Sequence, residues 1–173
     1  MSASPFEQVV LPHLNAAYNL ARWLTRDEHD AEDVVQDAFV RALRFFDGFR
    51  GDDARAWLLA IVRNTSYDYL RRHRPDEVTE PFDEEFHSST EDGQTPEALL
   101  LRRADQVMVR RAVEMLPLTW REMIILREFE GLSYKQIADV AGIKIGTVMS
   151  RLARARGQLQ QLLTVDALKE AAE

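Results

Sequence analysis

The chain has 173 residues, 46% hydrophobic and 29% charged, with seven Gly, six Pro and no Cys. That ordinary globular composition excludes collagen-like, wholly disordered and disulfide-stapled chains, and without cysteine there is no thiolate zinc site, iron–sulfur cluster or thiol nucleophile. At about 100–200 residues per domain, the length admits one medium domain or two small ones.

The longest apolar run, Ala56 to Val62, has seven residues, against about 20 for a bilayer-spanning helix. Met1 to Leu11 offers neither a basic n-region nor an apolar h-region, so a cytoplasmic protein with no signal peptide and no membrane insertion is expected. The net charge of −7 is unevenly spread. Residues 1–75 carry ten Arg and eleven acids, residues 76–100 nine acids and no Lys or Arg, and residues 101–173 twelve bases against nine acids. Residues 141–160 hold Lys144, Arg151, Arg154 and Arg156 with no acid. Two near-neutral or basic parts flanking an acidic strip fit a nucleic-acid binder better than the net charge suggests.

In chain order, Phe6 to Thr25 has helical periodicity, with Pro12 tolerated only near a first turn or as a kink. From Ala31, the residues Val34, Val35, Ala38, Phe39, Ala42, Leu43 and Phe46 recur on one helical face until Gly48 and Gly51 interrupt. A third amphipathic helix is predicted over about 54–73, with Pro75 beyond its end. Three such helices enclose one small core. Residues 76–94 are too polar to offset their own ordering cost and read as a flexible acidic linker. Thr95–Pro96 then reads as an N-cap with proline at the first helical position, opening a helix to about Leu116. Leu118 to Glu130 forms the next, stopped by Gly131. Ser133 with Gln136 is a capping-box pair, Ala141–Gly142–Ile143 a turn whose glycine can take positive φ, and about 144–163 a second helix packing through Val148 and Leu152. Small residue, glycine turn and flanking aliphatics form the pattern of a helix-turn-helix. The fold class is all-α: two small helical domains, 1–75 and 95–173, joined by the 76–94 linker.

Three surfaces invite function. The second helix of the helix-turn-helix presents Thr147, Ser150, Arg151 and Arg154, with Lys144 and Arg156 nearby, on what is expected to be its exposed face. Arg grips guanine bidentately, and Ser, Thr and Lys suit phosphates or base edges; the alternative is a solvated helical hairpin. On the 54–73 helix, Arg55, Arg63, Arg71, Arg72 and Arg74 interleave with Trp57, Tyr67 and Tyr69 around Asn64. That is the chemistry of single-strand capture, although Trp57 also suits a core and terminal arginines also suit the helix dipole. Asp27, Glu28, Asp30, Glu32, Asp33 and Asp37 form an acidic cluster, read as a solvated helix start or a docking face for a basic partner rather than a metal site. No Ser–His–Asp spacing, phosphate loop or HExxH motif occurs, so no catalytic residue, metal or cofactor is expected and the chain is not read as an enzyme.

The run Asp30 to Phe39, then Phe49-Arg-Gly, Trp57-Leu and Arg63 to Arg71, resembles the second conserved region of extracytoplasmic-function sigma factors of bacterial RNA polymerase. Leu116-Pro, Leu126-Arg-Glu, Gly131 to Ala138 and Gly146 to Arg156 resemble their fourth region. The resemblance implies a promoter-specificity subunit. Asp33, Gln36 and Asp37 would dock on the β′ coiled coil of the core enzyme, with the β flap as a further contact. The Phe49 to Asp53 loop (Phe49, Arg50, Asp52, Asp53) with Asn64 would form the pocket for a flipped −10 base, with Arg63, Tyr67, Arg71 and Arg72 as further contacts on single-stranded DNA. An extruded base needs such a pocket to offset its unstacking. Ser150, Arg151 and Arg154 would read the −35 duplex, with Lys144 and Thr147 on phosphates and Arg156 among the contacts. Met149 and Ala153 depart from a common pattern of Arg and a bulky residue there. The resemblance also implies an anti-sigma factor as negative partner and control by stress or another signal.

Overall fold

The computed structural model describes residues 2–79 and 106–172. Among them every regular element is helical. In the N-terminal half, α1 (Pro5–Val10) is opened by a capping box between Ser4 and Glu7. Pro12 lies in a 3-10 turn, Leu11–His13, that separates α1 from α2 (Leu14–Thr25). The single helix expected over 6–25 is therefore two, because proline cannot donate to the continuing ladder. Arg26 ends α2 in the left-handed conformation, φ 56°, unusual for a residue with a side chain. Asp27 then caps α3 (Glu28–Phe45), and its carboxyl is held below the ordinary value chiefly by the Asp30 N–H that it accepts. After a short turn, Asp53 caps α4 (Ala54–His73).

The helices α2, α3 and α4 pack on one another. Ala17, Ala21, Ala31, Ala38 and Ala42 are completely buried, and such small side chains allow close helix approach. Leu20, Leu24, Leu58, Val62 and Leu70 fill the space between. Leu43, expected on the core face, is 60% exposed together with Val40 at 56%; the inward stripe of α3 is Ala31, Val34, Ala38 and Ala42, and Leu43 falls outside it. Residues 76–79, expected to belong to the linker, begin instead in a 3-10 turn, Pro75–Val78. Glu77 pairs with Arg26 at 2.7 Å and with Arg74 at 3.3 Å, and Val78 packs on the core. The remainder of the acidic strip and the helix start expected at Thr95–Pro96 lie outside the described residues.

The C-terminal half comprises α5 (Gln106–Glu114), α6 (Leu118–Ile124), α7 (Tyr134–Ala141) and α8 (Ile145–Ala172). The last turn of α6 widens into a π segment, Ile125–Phe129, with the Glu130 N–H reaching the Ile125 carbonyl at 3.0 Å. Gly131 follows at φ 68°. Three helices, α5, α6 and α7, surround α8. The two halves pack together, and their buried apolar residues form one contiguous cluster. No helix among the described residues is long and apolar enough to cross a membrane.

Candidate nucleic-acid interface

The helix-turn-helix forms as its local chemistry dictates. Ser133 Oγ accepts from the Gln136 N–H at 3.1 Å and Gln136 Oε1 accepts from the Ser133 N–H at 2.8 Å, which satisfies two otherwise orphaned donors at the start of α7. Gly142 ends α7 at φ 68°, a conformation that costs glycine little. Ile137, Ala138, Val148 and Leu152 are buried between α7 and α8. Lys144 is exposed beside the start of α8, and Thr147, Ser150 and Arg154 are half-buried on its outer side.

Arg151 and Arg156 depart from the expected exposed face: both are 6% exposed. The buried stripe of α8 runs through Val148, Leu152, Ala155, Leu159 and Leu163. At 100° per residue, Arg151 and Arg156 flank that stripe by about 60–80°, whereas Thr147, Ser150 and Arg154 lie more than about 100° from its centre. The two lie on opposite flanks of the stripe; on its own flank Arg156 meets Glu128 of the π segment at 2.8 Å.

On the N-terminal half, the Phe49 to Asp53 loop is braced by aromatic packing. The rings of Phe49 and Trp57 lie 4.9 Å apart, Phe46 contacts both, and Phe6 meets Phe46 edge-on at 5.4 Å. Arg50 and Asp52 are exposed. Asp53 accepts the Ala56 N–H at 3.0 Å through one oxygen and the Gln136 side-chain amide at 2.7 Å through the other. The helix N–H chiefly, and Gln136 after it, hold the Asp53 carboxyl below its ordinary value against the opposing effect of burial.

Along α4, Asn64 and Arg71 are exposed and lie seven residues apart, two turns along one face. Arg72 is exposed as well and donates to the Asp68 carbonyl at 3.3 Å. Arg63 and Tyr67 are placed differently from the open face expected of them. Tyr67 is 3% exposed, Arg63 stacks over its ring at 3.8 Å, and both point into Glu122 of α6. Arg63 Nε donates to Glu122 at 2.6 Å and the Tyr67 hydroxyl donates at 2.7 Å. Burial first, and the neighbouring carboxylate second, push the Tyr67 hydroxyl far above its ordinary value. For Arg63 the carboxylate and Tyr67 outweigh burial, so its pKa is raised.

Within the acidic cluster, Asp30 accepts from the Tyr69 hydroxyl at 2.6 Å and pairs with Arg74 at 3.3 Å; that contact, ahead of burial, pushes the Tyr69 hydroxyl up to about 12. Asp33 and Gln36 are exposed, and Asp37 pairs with Arg41 at 3.2 Å. Val40 and Leu43 continue the Gln36 side of the helix and are exposed, giving a polar face an apolar extension that sequence periodicity assigned in part to the core. The residues that join the halves, Arg121, Glu122 and Gln136 with Trp23, carried no motif-level signal for that role.

Two family models match the chain: Sigma-70 region 2 over residues 9–75 and Sigma-70, region 4 over residues 106–159. The chain is 36% identical over 165 residues to the RNA polymerase sigma-H factor of Pseudomonas aeruginosa, covering 91% of this chain and 86% of that protein. It is 42% identical over 134 residues to the ECF RNA polymerase sigma-E factor of Escherichia coli K12, covering 73% and 70%. Among solved structures it is similar to the Bartonella quintana sigma factor RpoE in complex with the anti-sigma factor NepR (TM-score 0.71, 32% identity, covering 95% of this chain and 99% of that one). It is also similar to CnrH in complex with the cytosolic domain of CnrY (TM-score 0.64, 31% identity, covering 93% and 88%). With both regions matched in order on one all-helical scaffold, the chain belongs to the extracytoplasmic-function sigma factors, the subunits that give RNA polymerase its choice of promoter.

Proposed function

We propose that the chain divides its work between two modules, 1–75 and 95–173, joined through the acidic 76–94 segment. The outer face of α3, with Asp33, Gln36 and Asp37 extended by Val40 and Leu43, docks on the β′ coiled coil of core polymerase, and the β flap holds the C-terminal module. The Phe49 to Asp53 loop and Asn64 take an extruded −10 base, while Arg71 and Arg72, with Arg63 and Tyr67 when uncovered, follow the unpaired strand. The α7–α8 unit reads the −35 duplex through Ser150 and Arg154, with Lys144 and Thr147 on phosphates. Arg151 and Arg156 support that helix from beneath.

The observation that carries the reading is the exposed side of α4. Asn64 and Arg71 are polar and cationic groups open to solvent, engaged only with the side chains of their own helix, and a loop braced by Phe46, Phe49 and Trp57 stands at the N-terminal end of the same helix. A mid-helix Asn is a poor helix former, and its amide offers both donor and acceptor to a base edge. The chain works as a regulatory subunit without chemistry of its own, in the cytoplasm with polymerase. An anti-sigma protein responsive to a signal is its negative partner, a role supported by the complexes in which the RpoE and CnrH structures were solved.

Permanganate probing of thymines in a promoter bound by the reconstituted holoenzyme tests base capture. Asn64→Ala is expected to lose reactivity in the −10 region while retaining polymerase binding; full melting by that variant would contradict the assignment.

A further inference from the structure

The C-terminal ends of α2, α4 and α5 meet around an open cleft of about 610 Å³ lined by Arg26, Arg74, Arg111, Glu114 and Met115. A smaller cleft of about 310 Å³ shares Arg26 and Met115 and reaches Glu77 and Arg121. Asp53 caps the other end of the 20-residue α4, about 30 Å away at 1.5 Å per residue, so this place is distinct from the Phe49 to Asp53 loop. Helix-end carbonyls attract cations, and two of the arginines are anchored that way. Arg26 donates to the Glu114 carbonyl at 3.0 Å and Arg74 to the Thr25 carbonyl at 2.6 Å. Arg111 is exposed and makes no ion pair among the described residues.

The space between the two anchored guanidiniums is held by an oxyanion of the chain itself. Glu77 accepts from Arg26 at 2.7 Å and faces Arg74 at 3.3 Å. Its fit is incomplete. Arg74 Nε and Glu77 Oε2 are both buried without a hydrogen-bond partner among the described residues, although buried polar atoms are normally paired. Each guanidinium fork can take an oxyanion bidentately, and one carboxylate cannot fill two forks. Nor does it neutralise the charge gathered here: burial first, and the Arg26 charge second, lower Arg121 to about 10, with Glu77 opposing both. Asp30, also within reach of Arg74 at 3.3 Å, is shared with Tyr69. Glu77 stands on a four-residue 3-10 turn and its pairs are partly open to solvent, so its displacement costs little.

We propose that this cleft is a binding site for a polyphosphate, an anion with two or more linked phosphate groups. One phosphate takes the place of the Glu77 carboxylate between Arg26 and Arg74, where its larger set of acceptor oxygens serves both forks. The next phosphate is taken by Arg111. Met115, 67% exposed on the same wall, offers an apolar surface to whatever the phosphates carry. A nucleoside triphosphate and an inorganic polyphosphate chain share this chemistry, and the cleft falls within the size range of small-molecule sites, about 300–1,000 Å³.

The test is isothermal titration calorimetry on the full chain at fixed ionic strength, with inorganic tripolyphosphate in one arm and adenosine or guanosine triphosphate in the other. Circular dichroism checks that each variant is folded. Binding at one site per chain is expected. Arg111→Ala, a change at an exposed position, is expected to weaken it at least about tenfold through the lost charge-assisted contact. Glu77→Gln, which keeps the volume and removes the competing charge, is expected to tighten it by a similar factor. The two arms separate the sources. Tighter binding of a nucleotide that Met115→Ala abolishes assigns a nucleotide, and equal binding of all three probes assigns an inorganic chain. Absence of binding in both the unmodified chain and Glu77→Gln overturns the site, as does binding indifferent to Arg111→Ala. A loss in Arg154→Ala equal to that in Arg111→Ala overturns it too, by placing the anion on the helix-turn-helix. Short single-stranded DNA that displaces tripolyphosphate through Arg111 would make the cleft a strand contact instead, and the polyphosphate assignment would fall.

Discussion

The side-chain amide of Gln136 donates to Asp53 at 2.7 Å while its oxygen caps its own helix at 2.8 Å. One residue thus links the first turn of the helix-turn-helix to the first turn of α4. The candidate −10 loop and the candidate −35 reader meet at their helix N-termini, and any rearrangement that separates the halves breaks this contact at the cap of α4.

Asp53→Ala should therefore cost about 1 kcal/mol from the lost cap alone, measured by urea unfolding, plus a share from the Gln136 contact. Asp53→Asn, which still caps, should recover most of the cap contribution.

The two arginines three residues apart on α8 should behave oppositely. Arg154→Ala is expected to weaken −35 duplex binding by about 1–3 kcal/mol if it grips a base bidentately, with little change in melting temperature. Arg151→Ala is expected to lower the melting temperature, because Arg151 is 6% exposed and its truncation removes buried packing. Thermal melts beside anisotropy titrations decide between them.

Asp37→Arg should impair assembly with core polymerase without unfolding the chain. The Asp37–Arg41 pair at 3.2 Å is half-buried at the surface, and pairs open to solvent contribute about 0–1 kcal/mol. Arg41 also keeps Asp68 at 2.9 Å. Undiminished co-purification with core enzyme would remove α3 as the docking face.

Acid sensitivity should concentrate in the caps. Asp27 and Asp53 are both held below the ordinary value of 3.8 by helix N–H donors. Their stabilisation is present above that value and lost as pH falls through the lower folded values. Asp27→Asn with Asp53→Asn, capping without a charge, should flatten the stability loss below about pH 4; an unchanged acid limb in urea titrations would place the effect elsewhere.

What could be read in advance was local. The end of α4 follows from Pro75, and the α7–turn–α8 unit from Ser133, Gln136 and Gly142, because capping and positive φ are short-range chemistry. Pro12, compatible only with a first turn or a kink, sits in the first turn of a 3-10 segment. Burial set by distant partners was not legible. Arg151 and Arg156 lie on opposite flanks of the buried stripe of α8, and periodicity within α8 cannot reveal which neighbouring segments bury those flanks. Leu43 reads as apolar and therefore internal, yet it extends an exposed face. Glu122, in a stretch ordinary in composition, becomes a partner of Arg63 and Tyr67 only through chain segments more than 50 residues apart.

The most direct measurement is run-off transcription by core polymerase, with and without this chain, on a library of random promoter fragments. Initiation that depends on the chain and selects one pair of motifs, spaced as −35 and −10 elements, is the predicted result. Core enzyme that gains no initiation, or initiates without a shared motif, would contradict the account.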